Sequence, residues 1–260
     1  MATNAPEVAL IGAMKCATTT LHYQLEKHPD VCLSHPKEMD FFSRDEQWRN
    51  GVEWYGRQFP GWKHGQLRLD SSPNYTKRQT WPDSAERLHQ TRPDARLLYL
   101  VREPIARIRS HWVHSVASGR ERLELDDIAS DLDHHIIQTS RYHWQLEPYL
   151  DRFDLEQFLV LRFDDVVGKP IETLRRVYDH IGVRHVEISG ADDIRNSSSE
   201  KTRPTELARR LKWRPARGAL RRIHPRLADR SLKNPKMSPA VEAKVRDFLD
   251  QDLAALQATG

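Results

Sequence analysis

Strands that alternate with helices predict an α/β chain: a central parallel β-sheet flanked by helices. Three observations carry this reading. A short apolar run, Val8-Ala9-Leu10-Ile11, passes through a turn into a hydroxyl-rich helix start. A second run, Arg96-Leu97-Leu98-Tyr99-Leu100-Val101, is followed by a segment of helical spacing. A third, Phe158-Leu159-Val160-Leu161-Arg162-Phe163, leads into another. Short apolar runs bounded by turn residues read as strands buried on both faces. Their alternation with helices implies βαβ units. The 260 residues suit a single α/β domain spanning 1–260.

In chain order, residues 8–11 form the first strand and a helix runs to about Lys27, ended by His28-Pro29-Asp30. Val31-Cys32-Leu33 is a second short strand. Residues 44–66 read as irregular, rich in charge and in aromatics (Trp48, Trp54, Tyr55, Phe59, Trp62). Leu67-Arg68-Leu69-Asp70 is a further strand, ending in Ser71-Ser72-Pro73-Asn74-Tyr75. Residues 82–90 form a helix with Pro near its start. The strand over 96–101 ends at Arg102-Glu103-Pro104, and a helix continues to about Gly119. Helical patterns follow near 126–139 and 141–151. After the strand over 158–163, residues 170–181 are helical, and Gly182 suits the C-terminal stop. Residues 190–205 are a polar loop. Residues 205–236 are basic and broken by Pro215, Pro225 and Pro235. Ser238 is read as the N-cap of a last helix.

The stretch EVALIGAMKCATTTLHYQLEK, residues 7–27, is a strand, a tight turn and a helix start lined with threonines. The first amides of a helix lack partners and carry partial positive charge, so this is an anion cradle. It is not a Walker A loop, because Lys15 precedes the hydroxyls and no second glycine follows. In LLYLVREPIARIRSHWVHSVAS, residues 97–118, Arg102 closes a buried strand and Ser110 lies about two helical turns on. A guanidinium and a hydroxyl so placed grip a second oxyanion. In parallel sheets ligands sit beyond the carboxyl ends of the strands. That rule brings Lys15, Asp70, Arg102 and the loop after Phe163 to one edge.

IGAMKCATTTL resembles the 5′-phosphosulfate loop of the sulfotransferases that use 3′-phosphoadenosine 5′-phosphosulfate (PAPS). LVREPIARIRSHW resembles their 3′-phosphate motif. HPKEMDFF resembles the Lys-Glu-x-x-Phe-Phe segment of the carbohydrate and heparan-type branch. Ser72-Pro73-Asn74-Tyr75, directly after Asp70-Ser71, resembles the Ser-Pro-x-Tyr segment of that branch. The resemblance covers about residues 7–182. It implies a P-loop-like sulfotransferase fold and an enzyme moving a sulfuryl group from PAPS to an acceptor hydroxyl on a sugar, glycolipid or other small metabolite, with PAP as product. Donor binding falls on Lys15, Ala17, Thr18, Thr19, Thr20, Arg102 and Ser110, with Lys201 and Arg203 as candidates for closing over the 3′-phosphate and adenine. Lys15 neutralises charge on the leaving oxygen. Glu38 matches the branch's catalytic base and needs burial or a neighbour to suit that role; His35 and Asp70 are the alternatives, and Lys37 is placed to contact donor or acceptor. No metal is implied, and no cluster has metal-ligand spacing. The loop departs from the pattern at Ala17, where Gly is usual. Alanine suits that place if its φ is negative, which is the expectation here.

Two other readings stand beside this one. A P-loop-type ATP-dependent kinase would use Asp164 or Asp165 for magnesium. A catalytically silent nucleotide- or glycan-binding module would not need Lys15 or Glu38.

Charge is uneven. From Lys201 to Lys233 there are 12 Lys or Arg and 2 acids, an excess that leaves the remainder near −6 against a net charge of +4. The basic segment, about 201–236, is solvated, or steers anionic ligands, or meets anionic lipid or nucleic acid. Trp213 is its lone aromatic, which argues against nucleic acid. Cys16 and Cys32 form neither a disulfide framework nor a metal site. No apolar run reaches the length of a membrane span and no signal-peptide h-region opens the chain, so the expected location is cytoplasmic. Trp48, Trp54, Trp62 and Trp81 are candidates for an acceptor pocket. The pattern is silent on oligomeric state.

Overall fold

The computed structural model describes residues 4–188, 190, 202–204, 229–232 and 235–259. Five parallel strands form one sheet: β1 (Val8–Gly12), β2 (Val31–Leu33), β3 (Leu67–Ser71), β4 (Arg96–Val101) and β5 (Phe158–Arg162), in the order β2-β3-β1-β4-β5. This is the expected α/β architecture. Every residue of β1 is buried, as the centre of a sheet covered on both faces requires. The chain leaves β1 towards β2 and β3 on one side and resumes at β4 on the other. The order therefore reverses between β1 and β4, where open α/β sheets place their ligands.

Helix α1 (Thr18–Leu25) follows β1 and ends two residues short of the expected boundary. Residues 44–66 are not irregular throughout. They hold two short helices, α2 (Asp45–Trp48) and α3 (Gly51–Gly56). Propensity alone does not nucleate helices this short; packing of Trp48, Trp54 and Tyr55 around Phe41 supports them. A 3-10 turn, Pro73–Thr76, follows β3, and α4 (Ser84–Thr91) leads to β4.

Helix α5 (Pro104–Ala117) begins on Pro104, and its N-cap Glu103 accepts from the amides of Ile105 and Ala106. The helical pattern near 126–139 divides into α6 (Leu125–Ser130) and α7 (His135–Gln138), and α8 is Tyr142–Leu150. After β5 come α9 (Phe163–Gly168) and α10 (Pro170–Ile181), which stops at Gly182 with φ 75°. Two strands, β6 (Thr202–Pro204) and β7 (Asp229–Ser231), pair antiparallel. The rest of the basic segment over 201–236 falls largely outside the described residues. The last helix, Pro239–Ala258, starts at Ser238, whose side chain makes no cap bond; its amide donates to Asp126 instead. That helix packs on α5, α6 and α8. Its Asp252 accepts from the amides of His143 and Trp144, capping α8. Among the described residues no helix is long and apolar enough to cross a membrane.

Candidate functional site

The anion loop is residues 12–17. Gly12 is there because space is absent: a Cβ would lie 1.9 Å from Thr76 Oγ1, which donates to the Ile11 carbonyl at 2.9 Å. Lys15 and Ala17 both take left-handed backbone, φ 73° and 71°. The expectation of a negative φ at Ala17 is thus wrong. Ala17 is the N-cap rather than the first helical residue, so the chain is still turning there. An alanine in this region is strained by about 1 kcal/mol relative to glycine. Ala17 offers no side-chain cap to α1 and no acid sits in the first turn. A helix start of this kind suits an external anion.

Helix α5 holds this loop from behind. Arg107 is fully buried. It donates to Ser140 Oγ at 2.7 Å, to the Met14 carbonyl at 3.3 Å and to the Ile136 carbonyl, and contacts His111 Nδ1 at 3.2 Å. No acid is among these partners. Its charge consequently adds to the positive field under the loop. Arg102, at the end of β4, donates to the Lys15 carbonyl at 3.4 Å and lies 4.0 Å over the Phe163 ring. The Tyr142 hydroxyl fixes its backbone, accepting from the Arg102 amide and donating to the Arg102 carbonyl. Ser110 is nearly buried and faces the same space. Cys16, beside Tyr142, is buried, and that burial pushes its thiol up to about 11, which makes it a packing group.

The opposite wall is the segment after β2. Buried Met39, Phe41 and Phe42 anchor it, with Phe41 stacked on Tyr55 at 4.0 Å. Glu38 and Asp40 adopt left-handed φ of 62° and 53°. Both line the cleft, as does Lys37. Glu38 is not buried: its side chain is 47% exposed and paired with Lys37. His35 is exposed and does not line the cleft. Asp70 is fully buried, and both its oxygens are taken. Ser34 and Ser72 donate to Oδ1; Tyr55 and Tyr75 donate to Oδ2. It cannot meet an acceptor and instead anchors the wall, since Ser72 Oγ also accepts from the Asp40 amide at 3.0 Å. Trp48, Trp54, Trp62 and Trp81 do not line the cleft either. They pack on Phe41, or beneath Arg68 and Arg44.

The cleft between these walls has a volume of about 620 Å³. It unites Lys15, Ala17, Thr18, Thr19 and Thr20 with Glu38, Arg102 and Ser110, eight positions spread over some 95 residues of sequence. Lys201 lies outside the described residues, and Arg203 is described only as backbone in β6. Sequence reasoning missed Asp40, Arg44, Asn74, Lys77 and Arg120 on the walls. Asp40 sat inside a motif already singled out; Lys77 and Arg120 carry no local signal. Burial holds the Lys77 ammonium down to about 8, with Arg107 contributing. Among the described residues, six cations (Lys15, Lys37, Arg44, Lys77, Arg102 and Arg120) face two acids. Such a site suits a ligand with several negative charges at two separate points. A nucleotide bearing a 3′-phosphate and a 5′-phosphosulfate fits this donor set.

A family model described as Sulfotransferase family matches residues 62–187. The chain is 30% identical over 184 residues to mouse heparan sulfate glucosamine 3-O-sulfotransferase 5, covering 66% of this chain and 52% of that protein. It is 28% identical over 189 residues to the mouse 3A1 enzyme of that name, covering 70% and 47%. The chain thus spans about half the length of the curated relatives it matches. In architecture it is similar to a sulfotransferase from Alicyclobacillus acidocaldarius, with TM-score 0.70 and 23% identity over 98% of this chain and 95% of that one.

Proposed function

The chain belongs to the sulfotransferase family, and from that premise we propose that it moves a sulfuryl group from PAPS to a hydroxyl of a carbohydrate or small metabolite, leaving PAP. The observation that carries the reading is the pair of anion clamps in one cleft, the loop ahead of α1 and Arg102 with Ser110. When bound, the donor supplies a sulfate activated by its anhydride link to phosphate.

The residues divide the work. Lys15, with Thr18, Thr19, Thr20 and the first-turn amides from Ala17, holds the 5′ end, and Lys15 meets the charge that builds on the leaving oxygen. Arg102 and Ser110 hold the 3′-phosphate. Lys201 and Arg203 close over it. Glu38 accepts the proton of the attacking hydroxyl, with Lys37 orienting its carboxylate. Transfer of this kind depends mainly on positioning and charge neutralisation. The walls support both, since Arg107 and Asp70 hold them rigid. A carbohydrate acceptor is supported by the names of the relatives, which act on heparan sulfate glucosamine.

A kinase reading is weaker. Neither Asp164 nor Asp165 lines the cleft, whose acids lie on the wall facing the anion loop. Calorimetry with 3′,5′-ADP and with ATP separates the two. Tight 3′,5′-ADP binding, with preference for the 3′-phosphate lost in Arg102→Ala, is the expected result. Preference for ATP without regard to a 3′-phosphate would sink the proposal.

A further inference from the structure

Lys77 enters the cleft from the carboxyl end of β3, the strand beside β1 and its anion loop. Its backbone is fixed. The amide donates to the Asn74 carbonyl at 3.1 Å, and the Lys77 carbonyl accepts from the amides of Thr80 and Trp81, both at 2.8 Å. The residue before it, Thr76, is tied to the Ile11 carbonyl. Among the described residues, every other lysine or arginine of the cleft is engaged. Lys37 pairs with Glu38, Arg44 with Asp40, and Arg120 donates to His114. Arg102 donates to the Lys15 carbonyl, and Lys15 has interactions of its own. The Lys77 ammonium has no hydrogen bond or ion pair among the described residues. Nor is it sealed. Lys77 is half-buried, and the buried atoms left without a partner do not include its Nζ, so the ammonium opens on the cleft.

Charged and titratable groups surround Lys77. Arg107 and His111 lie on α5, Arg120 follows that helix, and His135 lies on α7. Burial keeps both histidines neutral. Glu38 and Asp40 act on it from the wall after β2. A half-buried ammonium beside two guanidiniums asks for an anion from the ligand. Under the function proposed above, on which this inference rests, the donor nucleotide brings three anionic groups. The loop ahead of α1 takes the 5′-phosphate, and Arg102 with Ser110 takes the 3′-phosphate. The sulfuryl group remains. It belongs between the loop and Glu38, because Glu38 takes the proton of the hydroxyl that attacks it. Lys77 is the cation, unengaged among the described residues, whose charge reaches both Arg107 beneath the loop and Glu38 opposite.

We infer that Lys77 is a further catalytic residue, whose ammonium donates to a non-bridging oxygen of the sulfuryl group and leaves the bridging oxygen to Lys15. One lysine then holds the group in transit, and the other meets the charge on the group that departs. The contact requires a charged Lys77. Burial and Arg107 bring its titration down to about 8, so the contact weakens as pH rises through that value.

PAPS and 3′,5′-ADP differ by the sulfuryl group alone, so the ratio of their affinities reads this contact without any acceptor. The experiment measures both by calorimetry on the full chain at pH 7 and pH 9, for the wild type, Lys77→Met and Lys77→Arg. Lys77→Met should weaken PAPS by at least about tenfold, the size of a lost charged hydrogen bond, while 3′,5′-ADP stays within about threefold. In the wild type the PAPS to 3′,5′-ADP ratio should fall by about tenfold from pH 7 to pH 9, as the charged fraction of an amine titrating near 8 does. In Lys77→Arg the ratio should stay level, because a guanidinium keeps its charge across that range. A ratio unchanged in Lys77→Met, an equal loss of both ligands in that variant, or a decline in Lys77→Arg that matches the wild type overturns the assignment of Lys77. Failure of the wild type to bind 3′,5′-ADP would count instead against the sulfotransfer reading beneath it.

Discussion

The guanidinium of Arg107 donates to the carbonyl oxygen of Met14 at 3.3 Å, from a position with no solvent exposure. One side chain on α5 thereby joins the anion loop to α7 and to Ser140. The loop owes its shape to this brace as much as to its own sequence.

Arg107→Met should therefore destabilise the protein by about 3 kcal/mol, because two carbonyls and a hydroxyl lose their donor in a buried place. Chemical denaturation measures this. Affinity for 3′,5′-ADP should also fall, and Arg107→Lys should not restore it, since an ammonium cannot reproduce the forked contacts. Unchanged stability and affinity would remove Arg107 from the account of the loop.

Ala17→Gly tests the strained N-cap. Glycine takes φ 71° without the cost that alanine bears there, although it gains entropy in the unfolded chain. A net stabilisation of about 1 kcal/mol is expected in thermal unfolding, with 3′,5′-ADP affinity equal or higher. A loss of stability would mean that the left-handed alanine is not strained.

The chemical roles separate in kinetics. Lys15→Ala should lower kcat by about 10²- to 10³-fold, the size of a lost charge-stabilising contact. Glu38→Gln should lower kcat by about 10²-fold or more while 3′,5′-ADP affinity stays within about threefold. Initial rates with labelled donor, set beside calorimetry, report both. A full rate in Glu38→Gln would end its assignment as base, and neither exposed His35 nor the fully engaged Asp70 is placed to inherit it.

Acid should destabilise the fold before the carboxylates titrate. Burial, aided by the Lys37 charge, holds the His22 imidazole down to about 4; its Nδ1 lies 2.9 Å from Ser71 Oγ. Burial likewise lowers His111. Between the ordinary histidine value and 4 the unfolded chain binds more protons than the folded one. Stability contributed by the neutral His22 is thus complete above about pH 6.5 and is lost as pH falls, by roughly 2 to 3 kcal/mol at pH 4. Thermal unfolding across that range should show the slope, and His22→Gln should flatten it. An NMR titration of His22 near its ordinary value would contradict the assignment.

Much of this was legible in the chain. The β4 strand runs over Arg96–Val101 as its apolar run requires, and α10 stops at Gly182. Lys15, Arg102 and Ser110 meet in one cleft because parallel strands deliver their carboxyl ends to one edge. Other features were hidden for physical reasons. The φ of Ala17 depends on where the turn ends, which Arg102 and Arg107 decide from 85 and 90 positions away in sequence. Asp70 reads as a strand-end acid of the kind that serves catalysis, and only the hydroxyls of Tyr55 and Tyr75 reveal it as an anchor. The tryptophans read as candidates for an acceptor pocket, yet Trp48 and Trp54 pack, partly buried, against Phe41.

By itself the sequence determined the alternation of strands and helices, the anion loop and its lysine, and the arginine at the end of β4. These follow from local pattern: periodicity, turn residues and the fixed geometry of a helix start. The tertiary structure alone decided which carboxylates face the cleft, which are consumed as anchors, and that one oxygen of Asp40 is left without a donor among the described residues. Burial and hydrogen-bond satisfaction depend on side chains brought together from distant parts of the chain, and no local pattern of residues encodes them.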